Sequence, residues 1–112
     1  MTQPAIYNIK AQRQADFSLQ LRFLDSNRSA INLTGWQVLS QIWNAEKTIK
    51  HADFTIAYTN RTQGIVRLSL SSTTTTSLPS QSVYDVLLID ANGTQEYYLE
   101  GGVSIEPSYT TP

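Results

Sequence analysis

The chain has 112 residues, a formal net charge of −1 and no cysteine, and 40% of its residues are hydrophobic. This length and apolar content predict one globular domain over residues 1–112, with a real core and short flexible ends at about 1–4 and 107–112. The near-neutral charge provides no clustered basic field for nucleic acid or a membrane surface, and the absence of cysteine excludes disulfides and thiolate metal sites.

Two strands are predicted near the start of the chain. Residues 5–10 form a short candidate edge strand, and a polar link leads to residues 16–23. In this second stretch Phe17, Leu19 and Leu21 alternate with polar residues, so they share one face. A period of two is typical of an antiparallel strand with one buried face. These three side chains are therefore assigned to the core.

The middle of the chain predicts three more strands, over residues 36–43, 53–58 and 65–70. Each alternates apolar with polar side chains, and stretches rich in turn-forming residues separate them. The polar residues 44–51 between the first two strands are predicted to form a loop. The side chains assigned to the core from these strands are Trp36, Val38 and Leu68.

The last third of the chain is organised around a hairpin. Residues 71–80 precede it and are predicted to form one helical turn at most, because β-branched threonines and Pro79 disfavour a longer helix. Two strands follow, joined at Asn92-Gly93, a dipeptide that favours a two-residue type I′ turn. Tyr84 and Val86 are assigned to the core from the first strand, and the Tyr84 hydroxyl is predicted to bond to backbone.

About seven short strands without a long amphipathic helix predict an all-β fold, an immunoglobulin-like antiparallel β-sandwich. A second layer is required because an isolated hairpin is only marginally stable in water. Within the second arm of the hairpin, Gly101-Gly102 predicts a bulge or a point where another stretch of backbone comes close.

The same alternation leaves apolar side chains on an outer face. Leu39 and Trp43 point away from the core in their strand, and Leu87 and Ile89 do the same in the first arm of the hairpin. We expect these two strands to be neighbours in one sheet, so that the four side chains form one apolar patch. Such a patch usually marks a protein contact. The alternative is that the N-terminal arm or the strand at 53–58 covers it.

No constellation of catalytic or metal-binding groups is evident. His51 is the single histidine, and a lone histidine lacks the orienting partner that a catalytic base needs. Asp85, Asp90 and Glu96 lie near the hairpin without the spacing of a calcium-binding loop. We therefore predict no enzyme activity, no cofactor and no metal site, and a hydrolase of unknown type is the last-ranked hypothesis.

The order and spacing of several short elements resemble a known family. These elements are Gln14-Ala15-Asp16-Phe17-Ser18-Leu19, Asn32-Leu33-Thr34-Gly35-Trp36, Gly64-Ile65-Val66-Arg67-Leu68-Ser69-Leu70, Leu78-Pro79, Val83-Tyr84-Asp85-Val86 and Gly101-Gly102-Val103-Ser104-Ile105. On these elements the chain resembles the immunoglobulin-like domain of tailed-phage structural proteins, as found at the N-terminus of the siphophage baseplate upper protein. It departs from that pattern at Ser80 and Ser82, where the family usually has glycine and an aromatic residue.

The resemblance implies a non-enzymatic virion protein, a baseplate, tail or capsid-decorating part, made in the host cytoplasm. Its partners would be other virion proteins, with self-association into a symmetric oligomer as a further option. Its composition predicts neither nucleic acid nor membrane as a partner. The alternative is a receptor- or carbohydrate-binding module of the same fold, in which exposed Trp43, Tyr58, Tyr97 and Tyr98 stack on sugar rings.

Overall fold

The computed structural model describes residues 5–108, and two stacked β-sheets make up most of this range. The strands, in chain order, are β1 (Ala5–Ile6), β2 (Ile9–Gln12), β3 (Phe17–Arg22), β4 (Gln37–Trp43), β5 (Lys50–Asp53), β6 (Thr55–Asn60), β7 (Ile65–Leu70), β8 (Gln81–Ile89) and β9 (Gln95–Glu106). A short helix, α1 (Ser72–Ser77), and a 3-10 turn at Arg61–Gln63 complete the regular structure of this range. The predicted all-β sandwich is confirmed, with nine strands in this range where about seven were predicted.

The larger sheet has the strand order β1-β9-β8-β4-β5, with β2 also pairing with β9, and the smaller sheet has the order β3-β7-β6. Neighbouring strands run antiparallel, except that β1 and β2 lie parallel to β9. The chain passes from one sheet to the other at Phe54, the single residue between β5 and β6. Its buried ring packs edge-on against Tyr84, with 5.9 Å between ring centroids.

The strand boundaries differ from the sequence prediction in several places, and the strand expected at 53–58 begins after Phe54 and runs over Thr55–Asn60 as β6. The expected strand at 5–10 is broken at Tyr7 and Asn8 into β1 and β2. The expected loop at 44–51 contains the start of β5, so His51 lies in an edge strand and not in a loop. The side chains of β5 are mostly polar, so a search for alternating apolar residues does not detect this strand. Charged residues are common on edge strands, because they prevent pairing with another chain.

The predicted flexible ends, about 1–4 and 107–112, fall largely outside the described residues. Residues 107–108 are described and form no regular structure.

The hairpin between β8 and β9 is present, but its turn is not the predicted type I′ turn. That turn requires positive φ at both Asn92 and Gly93, and of the two only Gly93 has it, at 85°. The Gly93 N–H donates to the Asp90 carbonyl, and the Asp90 N–H donates to the Thr94 carbonyl, each at 3.0 Å. The loop therefore has three residues, a type I turn closed by a left-handed glycine.

Side-chain hydrogen bonding by Asp90 explains why the longer turn forms. Its Oδ1 accepts the N–H groups of Asn92 and Thr94, both at 2.9 Å. The turns that begin at Asp25 and Asn44 are built in the same way, with one side-chain oxygen accepting two backbone N–H groups. Asp and Asn side chains stabilise turns of this kind, and a preference based on the Asn-Gly dipeptide alone does not include that contribution.

The core lies between the two sheets, and the predicted core residues differ in depth. The buried ones are Val38, Leu68, Tyr84 and Val86. The half-buried ones, which pack against this core, are Phe17, Leu19, Leu21 and Trp36. Because β3 pairs only with β7, its inward side chains lie at the open margin of the sandwich. Alternation identified the correct face of β3 but not its position at the edge.

The break between β1 and β2 is held in place by β8 and β9. The Tyr84 hydroxyl donates to the Tyr7 carbonyl at 2.6 Å, and the Gly102 N–H donates to Asn8 Oδ1 at 2.9 Å. Burial raises the pKa of the Tyr84 hydroxyl, which stays protonated at neutral pH. A Cβ on Gly101 would lie 2.7 Å from the Tyr7 carbonyl carbon. The predicted backbone partner of Tyr84 and the close approach at the glycine pair are both confirmed.

Candidate functional site: an apolar cleft on the larger sheet

Two apolar rows cross the outer face of the larger sheet. In one row, Leu39 of β4 lies opposite Leu87 of β8, which in turn lies opposite Tyr97 of β9. In the other, Trp43 of β4 lies opposite Val83 of β8. Leu39 is 38% exposed and Tyr97 is 49% exposed, so the first row faces solvent and not the core.

A polar row lies between the two apolar rows. Gln41 of β4 pairs with Asp85 of β8, and Asp85 pairs with Glu100 of β9. The Trp43 indole Nε1–H donates to Gln41 Oε1 at 3.0 Å, which holds the indole against this polar row. The outer face therefore presents carboxylate and amide groups flanked on both sides by apolar surface.

The three rows line one cleft, which we call the outer cleft, with a volume of about 480 Å³. Ile6 of β1 adds a wall beside Glu100, its partner across the sheet, and is 75% exposed. Lys47, from the turn between β4 and β5, also lines the cleft. A volume of this size falls within the range of pockets that hold small ligands or anchoring side chains.

The electrostatics of the outer cleft centre on Asp85. Burial raises the pKa of its carboxyl group above the ordinary value of 3.8, the Lys47 ammonium group lowers that pKa, and the Glu100 carboxylate raises it. Across residues 5–108, the ion pair found within 4.0 Å joins Lys50 to Asp53, at 3.2 Å. Asp85 and Glu100 therefore have no ion-pair partner within the described chain.

Three of the four residues of the predicted contact patch lie together. Leu39, Trp43 and Leu87 line the outer cleft, whereas Ile89 lies on the same face but outside it, opposite Gln37. The predicted pairing of their two strands is confirmed. Of the two covering elements considered, β6 belongs to the other sheet, and the described part of the N-terminal arm, from Ala5 onward, contributes Ile6 as one wall of the cleft.

The predicted contact patch did not include Val83, Tyr97 and Ile6, which supply further apolar surface to the outer cleft. Val83 could have been predicted from the sequence, because it lies four residues before Leu87 in the same strand and every second residue of a strand points to the same face. Tyr97 depended on the register of β9 against β8, and Ile6 depended on the pairing of β1 with β9. That pairing brings residues far apart in the chain together, and local alternation does not encode it.

The aromatic set proposed for sugar stacking is divided by the fold. The Tyr58 ring is covered by the Arg61 guanidinium, 3.7 Å from the ring centroid, and its hydroxyl accepts the Val38 N–H. Tyr98 packs edge-on against Phe23, with 4.7 Å between ring centroids. Tyr58 and Tyr98 are therefore structural residues and not exposed platforms. The other two members, Trp43 and Tyr97, both line the outer cleft.

The remaining candidate groups lie apart from one another. His51 is exposed on the edge strand β5, Asp90 stabilises its turn, and Glu96 is exposed on β9. Across residues 5–108 no three His, Asp or Glu side chains lie close enough to hold a metal ion. In the same range no helix combines the length and the apolar character needed to cross a bilayer.

No family model and no curated protein sequence matches this chain. Solved structures similar to it include the filamin domain of Lin-41, with 17% sequence identity and a TM-score of 0.48. The match covers 87% of this chain and 82% of that chain. A similarity at this level carries no information about function.

Proposed function

We propose that this chain is a non-enzymatic attachment domain that binds another protein through the outer cleft. The observation that carries the proposal is the cleft itself, in which apolar side chains from β1, β4, β8 and β9 meet on the solvent side of a sheet. The other face of that sheet already covers the core. Apolar surface on the outer face adds little to the stability of the isolated domain, whereas a partner that covered it would remove it from water.

We propose further that the partner is another protein of a tailed-phage virion. The support is the resemblance of the sequence elements to the immunoglobulin-like domains of tailed-phage structural proteins. In that setting the chain is a baseplate, tail or capsid-surface part, made in the host cytoplasm and carried in the virion. Repeated copies would attach through the same cleft, to other virion proteins or to one another in a symmetric oligomer.

Incorporation into particles tests this proposal. Particles assembled with the wild-type chain are purified on a density gradient, and the chain is quantified by mass spectrometry against the other particle proteins. We expect the wild-type chain at a fixed copy number. The double variant Leu39→Asn/Leu87→Asn should fold, as measured by circular dichroism, and should be depleted from particles at least tenfold.

The matched control lies on the outer face of the other sheet. Arg67 is exposed on β7 and far from the outer cleft, so Arg67→Asn should be incorporated like the wild-type chain. Absence of the wild-type chain from every particle would contradict the virion setting. Full incorporation of the double variant would contradict attachment through this cleft.

A carbohydrate-binding role is the second candidate, because Trp43 and Tyr97 lie in the same cleft as Gln41 and Asp85. Aromatic faces beside carboxylate and amide groups are suited to sugar rings and hydroxyls. A glycan array distinguishes this role from protein attachment. Saturable binding that Trp43→Ser abolishes would favour the carbohydrate role, and an array without binding would remove it.

A further inference from the structure

The outer cleft holds two acidic side chains in an unfavourable arrangement. Asp85 and Glu100 lie directly opposite each other on neighbouring antiparallel strands. The Cβ atoms of two residues in such positions are about 5 Å apart, and like charges on their side chains repel each other. Within residues 5–108 neither carboxylate has a cation within ion-pair distance. A positive group placed between the two carboxylates would relieve the repulsion.

The surroundings of these carboxylates indicate which kind of cation fits. Trp43 and Tyr97 belong to the rows on either side of the polar row, so an aromatic residue flanks it on each side. A guanidinium group stacks on aromatic faces and bonds carboxylates with a rigid fork of donors, whereas an ammonium group is a compact and strongly hydrated charge. Aromatic walls beside paired carboxylates therefore favour arginine over lysine.

The apolar side chains of the cleft indicate which groups lie beside the cation. Ile6, Leu39 and Leu87 line the same cleft, and they can cover the methylene stem of a long side chain and its apolar neighbours. A cleft of about 480 Å³ has room for one such side chain together with part of the residues beside it.

We infer that the partner inserts an arginine side chain, flanked by apolar residues, into the outer cleft, with its guanidinium group against Asp85 and Glu100. This inference rests on the proposed attachment function and specifies the chemistry of the partner. The Lys47 ammonium group acts on the Asp85 carboxylate but lies beyond ion-pair distance from it, so a place between Asp85 and Glu100 is left for the guanidinium.

The test uses three short peptides as probes: acetyl-Leu-Arg-Leu-amide, its lysine analogue, and its citrulline analogue, which has nearly the same shape without the charge. Each is titrated into the full chain, and binding is followed by amide chemical shifts in β4, β8 and β9. We expect the arginine peptide to bind about tenfold more tightly than the citrulline peptide, with lysine between them, because hydrogen bonds to charged groups are the stronger ones.

Two variants and one control locate the effect. Asp85→Asn and Glu100→Gln should each reduce the preference for arginine over citrulline to about twofold or less. Asp53→Asn, which removes a carboxylate already paired with Lys50, should leave the preference unchanged. Raising the salt concentration should weaken the arginine peptide more than the citrulline peptide.

Two outcomes would overturn the inference. Equal binding of the arginine and citrulline peptides at the outer cleft would exclude the guanidinium and leave the apolar attachment surface intact. Chemical-shift changes away from the outer cleft, or none with any peptide, would also overturn it. The proposed function is decided separately by the particle experiment, so failure of the inference and failure of the attachment function are distinguishable.

Discussion

At the scale of single residues, Asp85 is the clearest conflict between local stability and the proposed binding role. It stands in the middle of a central strand, with apolar rows on both sides and a carboxylate opposite it. A strand optimised only for stability would carry a neutral side chain there. Residues that cost stability in this way are commonly kept where a binding partner uses them.

Asp85→Asn is expected to raise the free energy of unfolding at pH 7. The pKa of Asp85 is raised in the folded chain, which therefore holds this proton to a higher pH than the unfolded chain does. Stability consequently falls as the pH rises from the ordinary value of 3.8 through the raised value, and ionised Asp85 is a net cost above that window. Because the group is partly exposed, we expect a gain of about 0.5 kcal/mol, measured by urea unfolding.

The gain from Asp85→Asn should disappear at pH 3, where the carboxyl group is protonated in both states. Glu46→Gln, in the exposed turn between β4 and β5, controls for the loss of one negative charge. A gain of equal size from Glu46→Gln would assign the effect to net charge. A variant less stable than the wild type at pH 7 would show that Asp85 is stabilising.

Gly101→Ala is expected to destabilise the chain by about 2–3 kcal/mol. The added methyl group would overlap the Tyr7 carbonyl, so β1 would have to move away from β9. Gly102→Ala is the matched control, since its Cβ would lie 3.6 Å from Asn8 Oδ1 and 3.8 Å from the Ser82 carbonyl oxygen, which are ordinary contacts. Thermal unfolding of both variants checks this, and equal losses would contradict the assigned close approach.

At the scale of elements, the turns are where sequence patterns and structure diverge. The dipeptide Asn92-Gly93 correctly marked the hairpin, because its turn-forming tendency is local. The predicted turn type was wrong, because the Asp90 side chain makes two hydrogen bonds that stabilise the three-residue loop. The turns at Asp25 and Asn44 have the same construction; polar composition marks such segments as turns or loops, but it does not specify these side-chain hydrogen bonds.

Arg28→Gly is expected to stabilise the chain by about 0.5 kcal/mol. Arg28 has φ of 62°, a conformation in which a Cβ is strained. Glycine removes that strain, and its larger entropy in the unfolded chain offsets part of the gain. Urea unfolding measures the change. Asn27→Gly, at a neighbouring position without positive φ, should be slightly destabilising; a gain there equal to that at Arg28 would contradict the strain argument.

At the scale of the whole molecule, the two faces of β8 have different tasks. Leu88 points into the core and is 2% exposed, whereas the adjacent Leu87 lines the outer cleft. One face holds the two sheets together, and the other is available to a partner. This separation lets the side chains of the outer cleft change without loss of the fold.

Substitution of these neighbouring leucines tests the separation. Leu88→Asn should cost about 4 kcal/mol, because it leaves a cavity and buries a polar amide. Leu87→Asn should change the free energy of unfolding by less than about 1 kcal/mol, as expected for a substitution outside the core. Both are measured by urea unfolding. A large loss at Leu87 would show that the chain itself depends on that side chain for its core.

The sequence by itself determined the two-layer, all-β architecture and the inward or outward direction of most strand residues. It could do so because alternation with a period of two follows from the local geometry of a single strand. It also placed Leu39, Trp43 and Leu87 on an outer face. Only the tertiary structure decided the depth of Phe17, Leu19 and Leu21, the turn types, and the joining of Ile6, Val83 and Tyr97 into a cleft around Asp85. The turn types depend on side-chain hydrogen bonds within each turn. The depth of these side chains and the cleft depend on which strands pair and in what register, and most such pairings join residues that are distant in the chain.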